Sequence, residues 1–164
     1  MAKKILNLAS ENNFQLVFPK IPTETVVDRE LVLNIYETVF PGVSFETNES
    51  HWQGWVLPAV LSNMRFEEWT VSFDIDEIFD NWKRLFDWMW YINNNKDKAG
   101  ETLKNYAIDA TLFVYDNYGN IVIKGIFTSL FPRTLDGVNL STREGEKYLT
   151  SKVIFDYIYF ELEK

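Results

Sequence analysis

The sequence has 164 residues, enough to bury the core of one domain, and we predict a single domain over residues 1–164. Its 24 Asp and Glu against 16 Lys and Arg give a net charge of −8, which argues against a protein that binds the phosphates of nucleic acid. The absence of cysteine excludes disulfides, thiolate metal sites and thiol redox chemistry.

Residues 1–12 form a predicted N-terminal arm ahead of the first strand. Asn7 and Ser10 interrupt its apolar part, so the arm does not have the pattern of a signal peptide. No apolar run approaches the ~20 residues that cross a bilayer, and we expect no membrane insertion. Residues 14–18 and 31–38 are rich in β-branched and aromatic residues, which predicts the first two strands.

A long apolar segment, residues 41–65, follows the second strand, with a predicted strand around residues 52–57. A loop of this length and apolar content usually has a function of its own. His51 lies in this segment and is the only histidine of the chain. Because no cysteine can join it in a metal site or a nucleophilic dyad, we interpret it as an ordinary loop residue.

Residues 69–75, with the sequence WTVSFDI, alternate between apolar and polar side chains, which predicts a half-buried strand. The period changes directly after it, and a helix is predicted over residues 76–93 with Asp74 and Asp76 as candidate N-caps. The stripe predicted to face the core consists of Ile78, Trp82, Leu85, Phe86 and Met89.

The aromatic residues around the helix divide into two groups. Trp69 and Trp82 lie on the predicted core faces of the strand and the helix. Trp88 and Tyr91 fall on the flank and back of the helix, where lone monomers seldom expose neighbouring large aromatic residues. Since aromatic residues are enriched at interfaces, we predict that these two contact another protein; a second layer of the same fold is the alternative.

Further strands are predicted over residues 106–116, 121–129 and 148–162. Gly119 supplies the positive φ of a hairpin turn between the first two of these. The last strand is apolar on both faces, so both faces need cover. Six or seven strands and one main helix predict a mainly β fold: an antiparallel β-sandwich or partial barrel with one flanking α-helix.

The chain contains none of the common catalytic or cofactor motifs. Glycine-rich phosphate loops, dinucleotide fingerprints and nucleophile motifs are missing, and the carboxylates of Asp74 and Asp76 lack the further ligands of a calcium loop. We therefore predict a non-enzymatic protein with no catalytic residue, no metal site and no cofactor.

Five stretches in a fixed order point to a family. They are NNFQLVF near the start, VFPGV at residues 39–43, FEEWTVSFDIDE before a Trp-containing helix, and IVIKGIFTSLFP followed by KVIFDYIYFE. Together they resemble the tail tube proteins of contractile-tailed bacteriophages, over most of the chain. The sequence departs from the family in having VNLSTREG where Leu-Asp-Trp is expected after the Lys-Gly strand, and in its unusually aromatic helix.

The resemblance implies a β-sandwich subunit that forms six-membered rings, closes into a ring-shaped β-barrel on oligomerisation and stacks into a tube. Such a barrel would also pair the strand edges that one small sandwich leaves open. The implied partners are copies of the chain and the sheath, baseplate and tape-measure proteins of a virion tail assembled in the host cytoplasm. Loops make contacts between subunits and rings in this family, and the candidates here are Phe40, Trp52, Trp55 and Leu57, with residues 41–65 as the inter-subunit loop.

A tube that conducts DNA must not bind it, and inward-facing carboxylates would let the polyanion pass without specific binding. The candidate lumen acids are Glu68, Asp74, Asp109 and Asp156. Two alternatives stay open. One is a baseplate protein of the same fold that initiates the tube, in a phage or a phage-derived injection device. The other is a soluble carbohydrate- or peptide-binding sandwich that uses Trp52 and Trp55 for stacking.

Overall fold

The computed structural model describes residues 14–19, 21–22, 31, 33–98, 102–142 and 148–164, and for Trp52 the backbone alone. The predicted N-terminal arm, residues 1–12, lies outside the described residues. The elements follow in chain order as β1 (Phe14–Val17), β2 (Asn34–Thr38), β3 (Val43–Ser44), β4 (Thr47–Trp52), β5 (Trp55–Val60), β6 (Arg65–Phe66), β7 (Trp69–Asp74), α1 (Asp80–Asn95), α2 (Leu103–Tyr106), β8 (Ile108–Tyr115), β9 (Ile121–Leu135), β10 (Thr150–Asp156) and β11 (Tyr159–Glu163).

In the described residues, seven strands form one antiparallel sheet in the order β1-β8-β9-β10-β7-β2, with β11 paired to β9. The 15-residue strand β9 belongs to two layers. The first part of β9 pairs with β8 and β11. We use the name sheet A for this part of β9 together with β8, β11 and β1. Its last part pairs with β10, and we name residues 131–135, β10, β7 and β2 sheet B. The predicted strand over residues 121–129 is thus longer than expected.

The core lies between the two sheets and helix α1, and it confirms the alternation predicted for residues 69–75. Trp69, Val71 and Phe73 are fully buried, while the side chains between them point to the other side of sheet B. The Trp69 ring stacks on Phe127 of β9 with ring centroids 3.8 Å apart. Full burial of each such side chain stabilises the fold by roughly 1.5–3 kcal/mol.

Helix α1 begins four residues later than predicted and faces the core with only part of the predicted stripe, since Leu85 is fully buried and Trp82 packs against the core. Residues 76–79 form a turn in which the Phe79 N–H donates to the Asp76 carbonyl at 2.9 Å, and Phe79 has a φ of 58°. The predicted caps Asp74 and Asp76 are wrong, because the amide of Asn81 makes the local bonds instead: its Nδ2 donates to the Asp74 carbonyl at 2.9 Å. The buried residues of the helix are Asn81, Leu85, Trp88 and Asn95.

The last predicted strand, residues 148–162, is two strands in different sheets. Strand β10 lies in sheet B and β11 in sheet A, and the Ile158 N–H donates to the Thr128 carbonyl at 3.0 Å where the chain crosses. Ile154, between the buried Val153 and Phe155, is only half-buried and Ile158 is exposed, so the expectation that both faces of the last strand need cover stays a prediction.

The segment 41–65 is largely β structure rather than loop. Strands β4 and β5 form a two-stranded hairpin, and β3 pairs with β6 at its base. Gln53 and Gly54 form the turn, with φ values of 48° and 82°. The predicted strand around residues 52–57 is wrong because it spans this turn, where both residues take the positive φ of a tight hairpin. The mainly β, antiparallel fold with one main helix is confirmed.

Candidate assembly surfaces

The outward side of sheet B, which we name the polar face, brings together three of the four candidate lumen acids. Glu68, Asp74 and Asp156 alternate with the buried residues of β7 and β10 and therefore share this side. Arg133 of β9 contacts two of them, with an Nη1 to Asp156 Oδ1 distance of 3.1 Å and a second ion pair to Glu68. The side chains of Arg133, Glu68 and Asp156 are 36–47% accessible, so these three groups remain in contact with solvent.

A row of polar side chains crosses the same face from its β2 edge. Glu37 of β2 lies opposite Ser72 of β7, and Lys152 of β10 lies opposite Ser72 on the other side. A shallow pocket of about 230 Å³ opens beside this row. The polar face consequently carries carboxylates and cations together, and the carboxylates are the more numerous.

Asp109 does not lie on the polar face, which corrects its grouping with the other three acids. It belongs to β8 in sheet A, and its Oδ1 accepts the Ser129 N–H at 2.9 Å. Ser129 has a φ of 55° inside β9, and the pairing of β8 with β9 shifts register at this point. Since a positive φ disfavours any residue but glycine, the carboxylate of Asp109 stabilises the bend where β9 leaves sheet A for sheet B.

Sheet B has two free edges in the described part of the chain. Strand β2 pairs with β7 on one side and with no strand on the other. Residues 131–135 of β9 pair with β10, whereas β8 pairs with β9 no further than Leu130 and β11 no further than Thr128. Free edges present unpaired backbone N–H and C=O groups to another chain.

The hairpin β4–β5 exposes apolar side chains on both faces. Trp55 is 74% exposed, and Leu57 is also exposed, as sequence reasoning predicted for contact residues. Strand β4 supplies mostly polar residues and β5 only apolar ones. The Trp52 side chain lies outside the described part, and His51 is exposed on β4. A two-stranded hairpin has no core of its own, so this apolar surface is not explained by the stability of the subunit.

Phe40 is placed differently from the other predicted contact residues. Its ring packs within the same chain, stacked at 6.5 Å on Phe160 and directly over Gly125 of β9. A Cβ on Gly125 would lie 2.7 Å from the Phe40 ring, so only glycine leaves room for it. With 37% of its surface exposed, Phe40 mainly anchors the base of the hairpin.

A tyrosine ties the other end of the hairpin to the sandwich. The Tyr157 hydroxyl donates to the Glu67 backbone carbonyl at 2.6 Å, and its ring packs against Phe66 and Phe127. Burial, with a smaller effect from the Glu67 carboxylate, raises the pKa of Tyr157 to about 12. The base of the hairpin is therefore held at both ends, while its tip extends into solvent.

The prediction that Trp88 contacts another protein is wrong. Trp88 is fully buried, its Nε1 donates to the Tyr106 carbonyl at 2.8 Å, and its ring contacts Phe155 at 6.3 Å. The helix is rotated relative to the predicted stripe, so its flank faces the core. Tyr91 is half-buried, and its proposed contact stays a prediction.

Sequence reasoning missed the aromatic residues that do face outward from helix α1. Trp82, Phe86 and Trp90 form a ladder of near-parallel rings with centroid distances of 5.7 and 6.2 Å. Trp82, predicted as core, is half-buried and packs against the core, whereas Phe86 and Trp90 are exposed. The ladder borders a groove of about 320 Å³ beside Met89 and Leu135. Their spacing of four residues was the signal, since it places all three side chains on one side of a helix.

Neither a metal site nor a membrane-spanning helix is found among the described residues. No group of three or more His, Asp or Glu side chains there is arranged to hold a metal ion. No described helix is long and apolar enough to span a membrane.

No protein-family model and no curated protein matches the sequence. Solved structures match over almost the whole chain. A chain of the sheath/tube terminator of an extracellular contractile injection system, PVC, aligns with a TM-score of 0.70 and 12% identity over 98% of this chain and 99% of that one. A chain of the PVC sheath–tube complex aligns at 0.68 and 12% over 97% and 93%.

A chain of the baseplate of the anti-feeding prophage, solved with 6-fold symmetry, aligns with a TM-score of 0.68 and 7% identity over 97% of both chains. Identities this low establish similarity of fold and leave the activity to be argued from the surfaces. The chain therefore has the fold shared by components of contractile injection systems. This confirms the fold expected from the sequence resemblance to tail tube proteins.

Proposed function

We propose that this chain is a structural protein that forms hexameric rings stacked into a tail tube. The observation that carries the proposal is the pair of free edges on sheet B. Its four strands alternate in direction, so β2 of one copy can pair with residues 131–135 of the next copy and keep the antiparallel order. Repetition around an axis closes the sheets into one barrel without an edge.

In this assembly the polar face lines the bore. Glu68, Asp74 and Asp156 then face the cargo, and Arg133 is held by two of them. A polyanion passing such a wall meets carboxylates in excess over cations, so few ionic contacts delay it. We propose that a genome passes through without specific binding. The polar character of the face supports this, because polar side chains can line a water-filled bore without being shielded by another protein.

The exposed apolar surfaces are proposed to contact other proteins. Trp55 and Leu57 at the hairpin tip would pack on a neighbouring ring, with the hairpin positioned by Phe40 and Tyr157 at its base. The exposed part of the aromatic ladder on helix α1, Phe86 and Trp90, is proposed to contact sheath or baseplate proteins. Assembly in the host cytoplasm and a place in a virion tail belong to the same proposal.

A second candidate is a protein of the same fold at one end of the tube. The similar chains in a baseplate and in a sheath/tube terminator support it. An end protein would form rings that join tube rings on one side only. The two candidates differ in whether purified rings extend into tubes by themselves.

Assembly of the purified full chain tests both candidates. Negative-stain microscopy and light scattering across a range of concentrations should show rings or stacked tubes, and isolated rings alone would favour the end protein. A strict monomer at high concentration would contradict both candidates. Glycan titration followed by Trp fluorescence covers the remaining alternative, because only a binding module would respond.

A further inference from the structure

The two free edges of sheet B carry opposite charges on the same side of the sheet. Glu37 lies on β2, is exposed, and points to the polar face because it lies opposite Ser72. Arg133 lies on the last part of β9 and points to the polar face because it contacts Glu68 and Asp156 there. In the described part of the chain, Glu37 has no ion pair.

We infer that Glu37 of one copy pairs with Arg133 of the next copy across the contact between β2 and β9. This inference rests on the proposed tube, and it names the residues that select its ring contact. A guanidinium carries five N–H donors in a planar fork. Arg133 can therefore keep its two carboxylates within the chain and still bind a third from the neighbour.

The charges also act against the wrong contacts. Two copies that paired β2 with β2 would bring Glu37 against Glu37, and pairing of β9 with β9 would bring Arg133 against Arg133. Each of these contacts is two-fold and joins only two copies, whereas pairing of different edges continues around a ring. Like charges opposite each other in a sheet are destabilising, so this arrangement disfavours the dimers and favours the ring.

The first experiment reverses one charge at a time in the full chain. Glu37→Lys should lower the fraction of protein in rings at least tenfold, measured by native mass spectrometry, and Arg133→Glu should do the same. An equimolar mixture of the two variants should recover rings in which the variants alternate, because every contact then joins opposite charges. Alternation also requires an even number of subunits.

Folding is the control for this experiment. Glu37 is exposed at an edge, so Glu37→Lys should keep the wild-type circular dichroism spectrum and melting curve. Arg133→Glu places a third carboxylate beside Glu68 and Asp156; if it does not fold, Arg133→Gln replaces it and should weaken rings without unfolding the subunit. Rings from Glu37→Lys at the wild-type level would overturn the inference.

A second experiment uses the absence of cysteine in the chain. Glu37→Cys combined with Arg133→Cys should give a ladder of disulfide-linked oligomers on a non-reducing gel. A bond within one chain is excluded, because the two edges of a four-stranded sheet are roughly 14 Å apart and a disulfide needs Cα atoms within about 7 Å. As a matched control, Glu37→Cys with Glu163→Cys uses an edge of sheet A and should give no ladder.

The outcomes separate this inference from the proposed function. Wild-type protein that never forms rings contradicts the tube itself, and the inference with it. Wild-type rings that are insensitive to charge reversal, with no ladder from the cysteine pair, leave the tube standing and reject the Glu37–Arg133 contact.

Discussion

The sandwich and the hairpin β4–β5 contain similar apolar residues, but the sandwich buries them and the hairpin exposes them. The sandwich buries Trp69 and Trp88 completely, whereas the hairpin leaves Trp55 74% exposed. The sandwich therefore accounts for the stability of the subunit, and the hairpin adds little to it. An apolar surface that does not stabilise its own chain is best explained by what covers it in an assembly.

The largest expected effect comes from removing a buried side chain of the sandwich. Trp88→Ala should lower the free energy of unfolding by about 3–5 kcal/mol, because it empties a buried site and leaves the Tyr106 carbonyl without its donor. Urea denaturation of the subunit measures this. Trp90→Ala is the matched control on the exposed side of the same helix and should change stability by less than about 1 kcal/mol. Equal losses in the two variants would reject the observed orientation of the helix.

The second prediction concerns the hairpin. Trp55→Ala should leave the unfolding of the subunit within about 0.5 kcal/mol of wild type, since the side chain is exposed. It should weaken ring stacking by about 2–4 kcal/mol if Trp55 is a central contact residue. Sedimentation across a concentration series measures the association. An unfolded or strongly destabilised subunit would instead place Trp55 in the core.

The third prediction tests the joint between the two regions. Gly125→Ala should cost about 1–3 kcal/mol, because its Cβ would lie 2.7 Å from the Phe40 ring and displace it. Gly137→Ala is the control, since nothing lies within 4 Å of its Cβ position. In the Phe40→Ala background, Gly125→Ala should lose most of its effect. Additive losses in the double variant would show that Phe40 and Gly125 are not coupled.

The sequence predicted the parts of the fold that follow from local periodicity. Alternation over residues 69–75 identified β7 and its buried face, and the same period of two placed Glu68 and Asp74 on one side. The face of helix α1 could not be found in this way. Its buried positions include the hydrogen-bonded polar residues Asn81 and Asn95, while Phe86 and Trp90 are exposed, so the apolar stripe identified Leu85 and missed the rest of the buried face.

The contacts that the sequence does not reveal at the candidate surfaces join distant residues. Asp109 accepts a hydrogen bond from the Ser129 N–H, and this bond depends on a bend in another strand. The sequence alone therefore does not distinguish Asp109 from the other candidate lumen acids. The packing of Phe40 over Gly125 is a property of the folded sheet, and the predicted contact of Phe40 with another subunit stays a prediction. Neither contact has a signature in the neighbouring residues. Composition alone, in contrast, identifies residues 41–65 as an apolar segment with a function of its own.

The smallest predicted effect is a pH dependence at the base of the hairpin. The pKa of Tyr157, raised by burial and then by the Glu67 carboxylate, is about 12 in the folded protein against an ordinary value of 10. Folding therefore favours the protonated phenol. The contribution of the Tyr157 hydroxyl to the free energy of unfolding is fully present below pH 10 and is lost as the pH rises from 10 to 12. Tyr157→Phe removes the hydrogen bond to the Glu67 carbonyl, which should cost about 0.5–1.5 kcal/mol.

Urea denaturation of wild type and Tyr157→Phe at several pH values measures this contribution. The difference in unfolding free energy between the two proteins should be constant below pH 10 and should narrow between pH 10 and 12. Two curves that stay parallel through that interval would show that the Tyr157 hydroxyl is not held as described. The hairpin would then be anchored to the sandwich at the Phe40 end alone.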